Sequence, residues 1–408
     1  MKMAWRNIWR NPRRTLVILT AVFIGVTSMV FLAALMKGMV FSMVENSLYN
    51  LTGHVLVRDA DFVADPTIVN RLKGIDKILT KVKAQLPEGG KALKRIRLDG
   101  FLNTARDSVG VNVVATDLDA EKGVSFIGDI QIDGLRLDNS DKGSVLIGYA
   151  LSKKIGLSVG KKFVLSMQGT DGELIARSFR IKGIFHTGQE EIEKSVIIMP
   201  YIAAEKMLSI DGDGTEIVVD IPISDFEKDD CETLANKINN VMPDSIKALS
   251  WKDVIPAVSA YLTLYSSFMY IWYLIVFIAM GFGIVNTVLM AVYERMREFG
   301  LLRAMGARSI DILRMVLTEV CLLIIIGLVA GNIVAYIMIS VMSSTGLDLS
   351  AYSSGMDMIN ISRIIYPVLT FGDLVKADLT VLALGMAISF YPACKACSFS
   401  PVETMRNV

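Results

Sequence analysis

The sequence predicts an α-helical membrane protein with four transmembrane helices and an α+β domain inserted outside the membrane. Three observations predict it. The 408 residues are 52% hydrophobic with a mean hydropathy of +0.48, too apolar for an ordinary soluble protein of this size. The 42 basic and 41 acidic residues leave four long windows with no charge. Between the first two windows, residues 38–253 have soluble composition and alternate β-branched runs with helical patterns.

Residues 1–14 hold Lys2, Arg6, Arg10, Arg13 and Arg14 and no acid, which places the N-terminus on the cytoplasmic side. Trp5 and Trp9 suit the membrane interface, and Asn11 followed by Pro12 reads as a helix start. The window Thr15–Met36 is about 33 Å long as a helix, enough to cross a ~30 Å hydrocarbon core, and gives a first span at 15–37. A cleaved signal peptide fits worse, because no small-residue cleavage site closes the run. Within 38–253, strands are predicted at 54–57, 109–116, 144–148, 162–167, 178–185, 195–199 and 216–221. Helices are predicted at 75–86, 149–155, 201–208 and 225–241.

Residues 254–293 would make a helix about 60 Å long, twice what a bilayer needs. The first half is therefore expected to be a stalk, packed through Val254, Val258, Tyr261, Leu262 and Tyr265. A cytoplasmic loop at 294–318 leads to the third span, 319–346. An outside segment at 347–375 follows; there and just beyond it Asp348, Asp357, Asp373 and Asp378 outweigh Arg363 and Lys376. The fourth span, 376–394, is uncharged only over Leu379–Cys394, a length that a soluble core helix would share. Residues 395–408 return to the cytoplasm, with Ser400, Pro401 and Glu403 as the capping box of a last helix.

Fragments that look catalytic fail on context. "GLSVG" (156–160) has nucleophile-elbow spacing but lies between a helix and a strand in the wrong order, so Ser158 reads as a turn residue. His54 and His186 stand far apart without companions at ligand spacing. "DGDGTE" (211–216) reads as a solvated turn before a strand rather than a cation loop. Cys394 and Cys397 have no second pair, and Cys231 is the only cysteine placed outside. A net charge of +1 gives no reason to expect nucleic acid. No stretch satisfies the phosphate-loop spacing, since "GLSVGKKF" lacks one residue between its glycines and has Lys-Lys where Lys-Ser or Lys-Thr is needed. No cofactor is expected on these residues.

The stretch "ERMREFGLLRAMGAR" (294–308) carries six charges and two glycines between two apolar spans. Glu294, Arg295, Arg297 and Glu298 suit a short helix, which Gly300 and Gly306 are expected to break or bend. Phe299, Leu302 and Met305 recur at helical spacing, an apolar ridge that with Arg303 would fit a partner's groove. The alternative is a loop whose arginines only fix topology against lipid headgroups.

At these residues a family resemblance enters. "VYERMREFGLLRAMGARSIDILRMVLTE", the following "GLVAGNIVAY" and the closing "YPACKACSFSPVETMR" resemble the FtsX-type permease module of ABC transporters. "VLIGYALSKKIGLSVGKKFVLS" (145–166) and "FRIKGIFHTG" (179–188) look like the MacB-like periplasmic core domain, and "AWRNIWRNPRRTLVILTAVFIGV" (4–26) resembles the family's start. The resemblance implies a permease in the bacterial inner membrane, paired with a second copy or a paralogue and served by two separate ATPase subunits. ATP and magnesium would sit on those partners. Residues 294–306 would be the coupling helix that receives ATPase motion, and transport would be mechanical. MacB proper carries a fused ATPase that these residues lack, which with the size of the external domain favours the LolC/LolE branch. The turn Gln168–Arg177 is shorter than the LolC hook for a periplasmic lipoprotein carrier, so the resemblance implies a more LolE-like chain or a relative with another substrate. Lipoprotein extraction is thus the expected function. Export of a peptide, toxin or antibiotic, or FtsX-like signalling to an external hydrolase, are the alternatives.

Three further features read from the spans stay open. Gly327 and Gly331 form a small-xxx-small pair for helix packing, within the chain or across a dimer. Asn286 suits a hydrogen bond between helices. Met29, Met36, Met39 and Met43 either line a lipid or substrate entrance or pack ordinarily.

Overall fold

A computed structural model describes residues 12–222, 230–350, 362 and 364–398. The readings placed on Lys2 to Asn11, residues 225–229, Asp357, Arg363 and Ser400 to Glu403 lie outside these residues. The chain divides into two compact units, one of residues 1–42, 261–353 and 363–408, the other of 43–260 and 354–362.

The first unit is a helix bundle. Among the described residues four helices are long and apolar enough to cross a membrane, and their long segments are Pro12–Ser47, Pro256–Glu294, Ser309–Thr345 and Phe371–Ser398. The first runs past its expected end at residue 37, because nothing from Lys37 to Ser47 caps or breaks it. In the second, Val258 is buried while Tyr261, Leu262 and Tyr265 are half-buried, so one face is the protected one; Val254, also half-buried, ends the separate short helix Trp251–Val254 and, contrary to expectation, is not part of the long one. The fourth extends well beyond its uncharged core and carries Pro392 inside. Lys37 ties the first of these helices to the fourth with a 2.9 Å ion pair to Asp373.

Gly327 and Gly331 pack inside the chain. A Cβ on Gly327 would sit 2.6 Å from Val22 Cγ1, and one on Gly331 2.9 Å from Val26 Cβ. The absence of side chains lets the first and third spans touch backbone to backbone, and Thr27 donates to the Gly331 carbonyl at 3.2 Å. These glycines therefore serve an intrachain contact, not an open dimer face. Gly331→Ile is expected to destabilise the bundle by about 2 kcal/mol through overpacking. Thermal unfolding in detergent measures it, with Gly372→Ala, which meets nothing within 4 Å, as the unaffected control.

The second unit is built on a ten-stranded mixed sheet. Its strands are β1 (Val55–Asp59), β2 (Lys91–Asn103), β3 (Ser108–Thr116), β4 (Gln131–Gly134), β5 (Ser144–Gly148), β6 (Lys162–Gln168), β7 (Leu174–His186), β8 (Val196–Pro200), β9 (Glu216–Asp220) and β10 (Ile246–Ser250). Pairing runs β2–β3–β8–β5–β7–β6 and back to β2, so six strands close a ring. Its core is alternate inward residues such as Leu98, Val113, Ile147, Leu165, Phe179 and Ile197. From the first half of β2 the sheet continues through β9, β1 and β10. The expected strands appear within a few residues, but β2, β4 and β10 were not anticipated.

The sequence "KALKRIRLDGFLN" hides β2 because it is buried on both faces around residue 95, and on the face away from the ring core the buried residue is a charge. Arg95 is fully buried, and its guanidinium meets the Glu121 carboxylate in two hydrogen bonds of 2.6 Å. Arg95 also donates to the Leu51 carbonyl at 2.6 Å, while Ser125 donates to Glu121 at 2.6 Å. Leu51 has φ +88°, a left-handed conformation that costs a non-glycine residue free energy. The buried arginine thus holds a strained turn where the first long helix ends and β1 begins.

A second buried charge set lies one strand away. Glu216 on β9 faces Arg58 of β1 and Arg95 of β2 across the ladder. Burial pushes its carboxyl up, but Arg58, Arg97 and Arg95 outweigh that and hold it below the ordinary range. Burial lowers Arg97, pushes the Tyr201 hydroxyl up, and raises the Cys231 thiol to about 11, which leaves that cysteine a poor nucleophile.

Candidate functional site

The charged cassette after the second span forms the best-defined constellation in the helix unit. The long helix ends at Glu294, Arg295 takes non-helical angles (φ −104°, ψ 15°), and a nine-residue helix follows over Met296–Ala304. The bend therefore sits at Arg295, not at Gly300 as expected. Gly300 lies buried inside the short helix. Gly306 does act as the terminator: at φ +97° its N–H reaches the Arg303 carbonyl, and the Ala307 N–H reaches Leu302, both at 3.0 Å. That is a Schellman ending, which needs a left-handed residue. The next helix opens at Ser309, where the Asp311 carboxylate accepts from the Arg308 N–H at 3.1 Å.

Ion pairs fix this short helix to two spans. Arg295 donates to Glu319 of the third span at 2.8 Å and to Glu298 at 3.2 Å. The second oxygen of Glu319 lies 3.5 Å from Arg14 of the first span, and Arg14 meets Glu294 at 3.3 Å. One carboxylate is thus shared by two guanidiniums, and the Arg295 and Glu319 side chains are only 8% and 9% exposed. Arg295 also stacks over the Phe299 ring, 5.4 Å from its centroid. A cavity of about 20 Å³, one water in size, lies among Arg14, Arg295, Phe299 and Glu319. On the far side, Arg303 donates to the Cys397 carbonyl at 3.1 Å, and the Cys397 thiol donates to Ser309 at 3.1 Å, tying the cassette to the fourth span.

The expected apolar ridge is divided between two faces. Phe299 is 1% exposed in the helix-bundle core and Leu302 packs against that core, so neither is offered outward. Met305 is 69% and Leu301 61% exposed, and with Arg297 they make the outer face. The reason is the spacing: each step of three residues falls about 60° short of a full turn, so from Phe299 through Leu302 to Met305 the ridge drifts off the face that the bend at Arg295 turns inward. Leu301 was missed because the chosen triplet followed one phase of the 3.6-residue repeat, when i, i+4, i+8 from Arg297 was the other. Glu319 was missed because it reads as a lone acid at the start of an apolar run.

The remaining expected sites separate. Asn286 is exposed on the second span and bonds nothing among the described residues. Met29 and Met43 are buried, which leaves Met36 and Met39 half-buried and no open face shared by all four. In the other unit His54 pairs with Asp220 at 2.9 Å and His186 with Asp133 at 2.8 Å, in separate places. Asp213 of the acidic turn is committed to Arg71 at 2.8 Å and to the Gly74 N–H at 2.9 Å.

Comparison with known proteins meets this geometry at both ends of the chain. Residues 15–230, more than half the chain, match the MacB-like periplasmic core domain family, and residues 270–401, which contain the cassette, match the FtsX-like permease C-terminal family. The chain belongs to the MacB/LolC/LolE/FtsX family of ABC transporter permeases. Relatives of this permease include the lipoprotein-releasing system transmembrane protein LolE of Haemophilus influenzae, 23% identical over 83% of the chain and 78% of that protein. An uncharacterized ABC transporter permease of Methanocaldococcus jannaschii is 25% identical over 67% of the chain. The macrolide export ATP-binding/permease protein MacB of Campylobacter jejuni is 22% identical over 99% of it. The permease spans 65% of the Methanocaldococcus protein and 60% of MacB.

Proposed function

We propose that this permease converts the closure of separate cytoplasmic ATPase subunits into motion of its extracytoplasmic domain, and that its cargo is a lipoprotein or similar amphiphile drawn from the inner membrane. It acts with a second copy or a paralogue, its N- and C-termini inside the cell. The carrying observation is the cassette helix: an outer face of Arg297, Leu301 and Met305 for a partner, and an inner face bonded to three spans through Glu319, Arg14 and Cys397. A force on the outer face meets no soft loop before it reaches the spans. The LolE match over most of both chains favours lipoproteins, and the short β6–β7 turn after Gln168 suits a subunit without a long hook.

Leu301→Glu with Met305→Glu is expected to abolish co-purification of the ATPase while the chain still inserts, because two exposed apolar contacts become charges without disturbing the inner face. Retained binding would mean that the cassette only fixes topology. For cargo, depletion of the permease is expected to strand lipoproteins in the inner membrane; unchanged lipoprotein sorting would turn the reading towards export of another amphiphile.

A further inference from the structure

The lipid-facing side of the third span carries a groove that the coupling geometry does not use. It has a volume of about 310 Å³ and lies between the third and fourth spans. Leu317, Cys321 and Ile325 follow Arg314 at helical spacing down one wall, with Leu322 beside them, and Met386 forms the opposite wall. Next to Met386, Gly385 lets the fourth span approach the third closely: a Cβ there would lie 2.8 Å from Ile324 Cδ1.

Charge and length define what fits. Arg314, in the second turn of its helix, is exposed, and its guanidinium makes no ion pair or hydrogen bond among the described residues. The other five named residues carry no charge. A guanidinium beside an apolar trough asks for an anion attached to a hydrocarbon. From Arg314 to Ile325 is eleven residues, roughly 16 Å of helix, about half of a ~30 Å hydrocarbon core. The trough is therefore one leaflet deep, with its cation at the headgroup end.

We propose that this groove is a binding site for an anionic phospholipid, with the phosphate on Arg314 and one acyl chain along Leu317, Leu322 and Ile325 against Met386. It depends on these helices lying in lipid and not on the identity of the cargo or of the ATPase. A lipid seated there wedges the third and fourth spans at the same end as the cassette, so occupancy sets how these two helices move together.

The full-length chain, purified in mild detergent, is exposed to phosphatidylglycerol or phosphatidylcholine and the retained lipid is read by native mass spectrometry. The wild type is expected to retain phosphatidylglycerol in preference, and Arg314→Gln to weaken that retention roughly fivefold, the value of one basic residue near a membrane surface. Leu322→Trp and, at the end far from Arg314, Ile325→Trp fill the trough and are expected to reduce retention of both lipids at an unchanged elution volume. Arg308→Gln, off the groove, is expected to retain as the wild type does. Unchanged retention in Arg314→Gln, or in both tryptophan variants, would overturn the proposal. So would full displacement of the lipid by inorganic phosphate, which would reduce the site to a phosphate contact.

Discussion

Glu319→Ala is expected to destabilise the helix bundle by about 3 kcal/mol, because removing one partner of a buried ion pair leaves the other charge buried without compensation. Arg295 and Arg14 both lose their shared acceptor, and Arg295 then has only Glu298, whose side chain is 43% exposed. The measurement is thermal unfolding of the purified permease. Exchanging the charges as Arg295→Glu with Glu319→Arg restores the pair and is expected to recover part of the loss, though Arg14 then faces a like charge. A second readout separates stability from coupling. At a temperature where the variant is folded, ATP turnover by the proposed ATPase partner is expected to become independent of the permease, because the cassette helix loses its ion pair to the third span. Turnover that still responds to the permease would show that Arg303 and the fourth span carry the load alone.

Arg95→Leu is expected to cost the extracytoplasmic domain about 4 kcal/mol. The substitution strands the fully buried Glu121 carboxylate, and it removes the donor from the Leu51 carbonyl at a turn already strained by its positive φ. Chemical denaturation gives the loss, and hydrogen exchange locates it: amides of residues 48–53 are expected to exchange faster well below the unfolding transition. Arg95→Leu combined with Glu121→Leu removes both charges and is expected to regain more than half of the stability, while the faster exchange at residues 48–53 persists. If the double variant also restored protection there, the turn would be held by packing of Leu51 and not by the guanidinium.

Much of the architecture was legible because the physics that sets it is local. Runs such as Thr15–Met36 and Val320–Leu347 are apolar beyond what any soluble helix needs, and β-branched stretches such as "SVLIG" and "EIVVD" have few other conformations open to them. The Gly306 terminator was equally local, since only the residue's own backbone freedom is involved. Failures came where a partner distant in sequence decided the outcome. β2 looked too charged to be a central strand because the acid that neutralises Arg95 lies 26 residues on, at Glu121. Gly300 was read as a breaker on its intrinsic preference, but a buried position in a helix fixed at both ends tolerates the cost of about 1 kcal/mol.

By itself, then, the sequence determined that four helices suit a membrane, that a β-rich domain lies between the first two, that the cassette is charged and helical, and through its motifs which family of permeases it belongs to. Periodicity, composition and local backbone preference are enough for each of these. The tertiary structure alone decided which face of the cassette is free. Phe299 and Leu302 turn inward because Arg295 is drawn to Glu319, 24 residues away, and the bend that this attraction places at Arg295 sets the roll of every residue after it. A helical repeat gives the spacing of an apolar face but not its azimuth, and azimuth is fixed only by what the helix is bonded to.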